Sequence, residues 1–174
     1  MHRRSILLAC VFGVSATPFH AIAADTPDST LSEFMIALQG GQFNRAAGSF
    51  YPELPARSEA VLLIEHKLNL LHQEVGNLAA MRQLGAQPDG FTIAAQIARG
   101  APLSDTRQVI RTVQRVFEGP SKLGINVRYA VEAEQSPSGW RIRNLSIHFP
   151  ADYPNLPGLL QRLGSEDVPA PRPT

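Results

Sequence analysis

The sequence predicts an α+β domain in which three N-terminal helices pack on a curved antiparallel sheet of about four strands. Three observations carry that reading. Val61, Ile64, Leu68, Leu71, Val75 and Leu78 recur every three or four residues, a single apolar stripe along a helix. After Phe91 the period changes, and Ile125, Val127, Tyr129, Val131 and Ala133 alternate with Asn126, Arg128, Glu132 and Glu134, the clearest strand of the chain. Helical periodicity first and strand periodicity afterwards is the order of an α+β layout.

Residues 1–23 have the composition of an export signal. His2, Arg3 and Arg4 form a basic start, and Ile6 to Val14 is an apolar run shorter than a bilayer span. Pro18 breaks that run ahead of Ala21-Ile22-Ala23, a small-x-small cleavage pattern. Cleavage is expected after Ala23 or one residue later, which places the mature protein in the periplasm or outside the cell. Arg3-Arg4-Ser5-Ile6-Leu7 resembles the core of a twin-arginine signal, but the basic region is short and favours ordinary unfolded export. Leu7-Leu8-Ala9-Cys10 resembles a lipoprotein box, with too little apolar sequence before Cys10 to serve as one.

A polar leader over residues 24–29 precedes the domain, which is expected to span 30–163. Helix one is predicted from about Thr30 to Leu38, capped by Asp28 or Ser29, with Leu31, Phe34, Met35 and Leu38 as its apolar face. Gly40-Gly41 stops it, and Gln42 to Tyr51 reads as a second helix bearing Phe43, Ala46, Ala47 and Phe50. Pro52 and Pro55 force a non-helical link. The long third helix is expected from Arg57 to Leu84, ~40 Å if unbroken. Gly76 is its weak point and Gly85 its expected C′ stop.

Phe91, Ile93, Ala95 and Ile97 alternate between Gly90 and Gly100 and predict a strand. Thr106 to Glu118 has helical spacing, yet its β-branched content and its place before a Gly119-Pro120 turn favour a strand. Ser136 to Gly139 reads as a turn and Trp140 to Phe149 as the return strand. Trp140 and Ile142 are out of phase with Leu145, Ile147 and Phe149, and a bulge near Arg143-Asn144 would restore all five to one face. Beyond Pro150 lies an apolar patch of Leu156, Leu159, Leu160 and Leu163, and 164–174 is expected to be a disordered proline-rich tail.

Removing residues 1–23 from 174 leaves 151, the size of one domain. It also removes the lone cysteine, so disulfide, thiolate-metal and cysteine-nucleophile chemistry are excluded from the mature chain. Loss of Arg3 and Arg4 from 16 Lys+Arg leaves 14 against 15 Asp+Glu, a balance that argues against nucleic acid as a partner. No second long apolar run appears, so no transmembrane segment is expected in the mature chain.

Two local motifs narrow the fold. Leu38-x-x-Gly41-x-Phe43-x-x-Ala46-x-x-x-Phe50 resembles the opening helix, glycine turn and second helix of nuclear-transport-factor-like domains, also called cystatin-like or ketosteroid-isomerase-like. Gly139-Trp140-x-Ile142-x-x-Leu145 is similar to the bent last strand of that superfamily. The resemblance implies a cone of helices and curved sheet, often with a pocket at its wide end. It implies isomerase, lyase or dehydratase activity in some members, and ligand binding or dimer formation without chemistry in many. The carboxylate base and oxyanion tyrosine of the isomerase branch do not align onto this chain.

Candidate chemistry is sparse. Glu65, Asn69 and His72 share one flank of the long helix, where a carboxylate could orient a histidine as a general base; the competing reading is a polar margin beside solvent. His66 and His72 are six residues apart and cannot chelate one metal as i,i+4 histidines do, so no metal site and no cofactor is expected. Arg128, Arg141 and Arg143, with Arg99, Arg107, Arg111 and Arg115, fall in the sheet half. The first three could clamp an anion, against the alternative that Glu118, Glu132 and Glu134 pair with them across strands. Leu62, Leu63 and Leu70 lie off the stripe and suit contact with helix one or with another subunit. The expected function is an exported, non-catalytic domain binding a small ligand or an exported protein partner. The alternatives are a small isomerase or lyase using a pocket at the open end of the cone, and a homodimer joined sheet to sheet.

Overall fold

The computed structural model of the chain describes residues 26–85, 93–101, 111–137 and 139–164. The expected signal, the leader up to Asp25 and the tail from Ser165 lie outside the described residues. The architecture is α+β: helices pack on an open five-stranded antiparallel sheet.

Helix α1 runs Pro27–Gln39, three residues earlier than the apolar spacing suggests. Thr26, not Asp28 or Ser29, is its N-cap: its Oγ1 accepts from the Ser29 N–H at 3.2 Å, and Pro27 follows at a position where a missing N–H is harmless. Gly41, at φ 69°, turns the chain into α2, Phe43–Gly48. Residues 49–51 were expected to continue α2. Instead Ser49, Phe50 and Tyr51 donate to carbonyls three residues back, tightening the chain ahead of Pro52.

Helix α3 spans Glu59–Glu74, capped by Ser58, and so stops well short of Leu84. Gly76, at φ 72°, ends it and Gly85 plays no part in its stop. The stripe continues past the helix because Val75 and Leu78 stay buried in the cap and in a 3₁₀ turn over Leu78–Ala80. Lys122, 49 residues beyond Gln73, closes the end of α3: its N–H donates to Val75 O at 2.7 Å and its Nζ to Gln73 O. A two-residue strand that the sequence pattern did not announce, β1 (Arg82–Gln83), follows.

Strands β2 (Ile93–Arg99), β3 (Thr112–Pro120), β4 (Asn126–Ser136) and β5 (Gly139–Phe149) complete the sheet in the order β1-β3-β4-β5-β2. The ambiguous segment is thus strand from Thr112 onward; 102–110 lies outside the described residues. Gly119 and Pro120 belong to β3 rather than to a turn, which is made instead by Ser121 to Gly124. Gly119 lies close against the chain before β1, where a Cβ would come within 3.1 Å of Met81 Cα.

The expected bulge is present. Glu132 pairs with Asn144 and Ala133 with Ile142, leaving Arg143 as the extra residue. A second bulge leaves Ile97 extra in β2, between the Gln96–Ser146 and Ala98–Leu145 pairs. Both fall beside Asn144-Leu145 and bend the sheet there. Ile142, Leu145, Ile147 and Phe149 consequently share one fully buried face with Val127, Tyr129, Val131 and Ala133. Helix α1 crosses this face over β4 and β5, while α3 packs on α2 and β2. Helix α4, Leu156–Gly164, turns the apolar patch beyond Pro150 into a closing element that buries Leu156, Leu159 and Leu163 against β2 and α3. Among the described residues, no helix is long and apolar enough to cross a membrane.

Candidate functional site

Among the described residues, large apolar side chains pack between the helices and the sheet. Phe34 and Phe50 meet edge to face at 5.8 Å, and Leu68, Tyr129, Leu145 and Ile147 belong to the same buried cluster with almost no exposure. Open space lies instead at the side of the molecule, between α1 and the β1–β3 edge, as a cleft of about 480 Å³.

The cleft follows from the pitch of α1. Phe34, Leu38 and Leu31 face the core, and the next stripe round the helix, Ser32, Ile36 and Gln39, falls along the cleft wall. Ile36 is 60% exposed, an aliphatic side chain on the wet side of an otherwise well-sorted helix. Gln39 fixes the far end of the wall, its Nε2 donating to Met81 O at 2.8 Å just before β1. The floor is β1 and β3, where Gln83 sits opposite Phe117 in register and Leu84 N–H continues the ladder to Val116 O at 2.8 Å. Across the near end, Arg115 Nη2 meets Asp28 Oδ1 at 2.9 Å.

The cleft lining is a mixed apolar and polar surface. Among the described residues it offers an aliphatic and aromatic surface, one hydroxyl, two amides and one exposed ion pair, with no histidine to move a proton near neutral pH. Among the described residues, no group of three potential ligands could hold a metal ion.

The positions singled out in the sequence lie elsewhere. Glu65 Oε2 accepts from Asn44 Nδ2 at 2.6 Å, which ties α3 to α2. Asn69 Nδ2 donates to the Glu65 backbone carbonyl at 3.1 Å, and the exposed His72 lies with its ring 5.4 Å from that of Phe43. Each of the three is engaged along the α2–α3 seam, and none of them lines the cleft.

Arg128, Arg141 and Arg143 stand on the outer face of the sheet with carboxylates beside them. Arg128 Nε bonds Glu118 at 3.1 Å. Arg141 grips Glu134 through Nε at 2.9 Å and Nη2 at 2.6 Å, and Nη2 also donates to Ala101 O. Arg143 lies 3.6 Å from Glu134 and 3.8 Å from Glu132. Glu118, Glu132 and Glu134 are the cross-strand partners that the alternating pattern offered, so the three guanidiniums neutralise the sheet's own acids. Leu70 packs against the core while Leu62 is exposed.

The cleft was not foreseen. Ile36 carried a local signal, being apolar on the polar side of its helix, whereas Asp28 and Arg115 are 87 residues apart and share no pattern. Comparison of the chain with protein-family models, with curated proteins and with solved structures finds no match.

Proposed function

We propose that the protein is an exported, non-catalytic binding domain of the nuclear-transport-factor-like type, which holds its ligand in the cleft between α1 and the β1–β3 edge. The observation that carries the binding site is Ile36, exposed on the wall of a cleft that Leu31, Met35 and Phe117 also line, beside the polar Ser32, Gln39 and Gln83 and the Asp28–Arg115 pair. A cleft of about 480 Å³ falls within the ordinary range of small-molecule sites, about 300–1,000 Å³. The superfamily assignment is supported by the two motifs and by what they do in space. Leu38, Phe43, Ala46 and Phe50 are buried around a left-handed Gly41, and Ile142 and Leu145 flank a bulge. Export is supported by the basic, apolar and small-x-small succession of residues 1–23.

The test is a fluorescence titration of the purified protein with Nile red, a neutral apolar probe. Saturable enhancement is expected, lost in Ile36→Glu while thermal unfolding stays unchanged, because the side chain is already exposed. Enhancement that is absent, or that survives Ile36→Glu, overturns the cleft as the binding site.

A further inference from the structure

We infer that the cleft takes a free acyl carboxylate, with the chain along Ile36, Met35 and Phe117 and the carboxylate on Arg115. This rests on the cleft being the binding site as proposed above, and adds the chemistry of what fills it.

Three features of the cleft specify that chemistry. Its wall and floor set apolar surface beside a charge: the exposed Ile36 and the largely buried Met35 and Phe117 line the same space as Arg115, the one cation among the described lining residues. That cation has spare capacity. Of the five N–H donors of a guanidinium, two are engaged among the described residues, one on Gln114 O at 3.1 Å and one on Asp28 Oδ1 at 2.9 Å. A second carboxylate suits the planar fork that remains.

The partner already on Arg115 is also one that gives way easily. The Asp28 side chain is 73% exposed and that of Arg115 36%, so the pair is solvated and contributes little to stability. Asp28 sits in the first turn of α1, where its charge is equally well placed in water near the helix N-terminus. A ligand carboxylate joining or replacing it leaves no buried charge unpaired. The buried Glu134–Arg141 pair could not behave in this way, because losing its partner would strand a desolvated ion.

The same geometry selects a free acid over an ester. An acyl chain esterified in a phospholipid has lost the anionic oxygens that Arg115 would read, and among the described lining residues there is no second cation for a phosphate. The seated part of the chain contributes by burial of its methylenes, and the head group contributes through one charge-assisted interaction.

The two members of the ion pair should therefore act in opposite directions. Titration calorimetry on the purified protein would compare decanoate, below its micelle concentration, with decanol, methyl decanoate and acetate. We expect one saturable decanoate site, roughly tenfold tighter than decanol or the ester, and no heat from acetate. Arg115→Gln should lower decanoate affinity to that of decanol. Asp28→Asn should raise decanoate affinity about threefold, by removing a competing negative charge, and leave decanol unchanged. Equal affinities for decanoate, decanol and ester would overturn the inference, as would loss of decanoate binding in both variants, the mark of a merely structural ion pair. Nile red binding at Ile36 without a preference for decanoate would sink this inference alone; absence of binding by every probe would sink the site itself.

Discussion

His148 and its neighbours show how a single side chain on the outer sheet face makes stability depend on pH. It sits opposite Arg128 in the β4–β5 ladder, with Ser146 Oγ 3.4 Å from its Nε2. Partial burial, and secondarily the Arg128 guanidinium, hold its imidazole below the ordinary histidine range. In the window between that lowered value and ~6.5 the unfolded chain binds more protons than the native one. The contribution of His148 is therefore complete above ~6.5 and declines as pH falls through that window. The urea midpoint should rise from pH 5 to pH 7, and His148→Gln should flatten that rise; an unchanged slope in the variant would refute the assignment.

At the scale of elements, the β5 bulge decides which face is core. Without Arg143 as the extra residue, Ile142 and Trp140 would swing to the outer face while Leu145, Ile147 and Phe149 stayed inside. Deleting Arg143 should cost more than replacing it by alanine, which keeps the count and loses only partly exposed ion pairs. Burying Ile142 is worth ~2 kcal/mol or more, so the deletion should lower the urea midpoint clearly and Arg143→Ala only slightly. Equal midpoints would mean that the register does not depend on the bulge. This bulge was legible in the sequence because a period-two pattern reports its own phase, and five large apolar residues marked the slip. The end of α3 was less legible: Val75 and Leu78 keep the helical spacing and are buried, yet Gly76 between them is left-handed. Apolar spacing records what is covered, not which backbone covers it. Helix α4 is hard to read for the opposite reason, since Pro154, Pro157 and Gly158 disguise a nine-residue helix whose leucines show in the sequence only as an apolar patch.

Across the whole molecule, the helices-then-sheet plan could be read from periodicity, while the cleft could not. Its walls come from the first helix and from strands more than forty residues downstream, and only their packing brings Asp28 to Arg115. The same limit applies to Glu65 and His72, whose shared flank was correctly placed on α3 but is turned to α2. The proposed export has a direct readout. Expressed in a bacterial host, the protein should be recovered from the periplasmic fraction with Ala24 or Asp25 as its first residue by N-terminal sequencing. Recovery from the cytoplasm with Met1 intact would remove that part of the proposal.

Lys122 ties the two halves of this plan together. It belongs to the β3–β4 turn, yet it supplies the donors that the closing carbonyls of α3 lack within their own helix. The last coil of α3 is therefore unsealed until the hairpin has closed over it, and the hairpin in turn loses its anchorage if that coil frays. Helical and sheet halves are in this sense a single cooperative unit, joined by one clasp whose two sides are drawn from distant stretches of the chain.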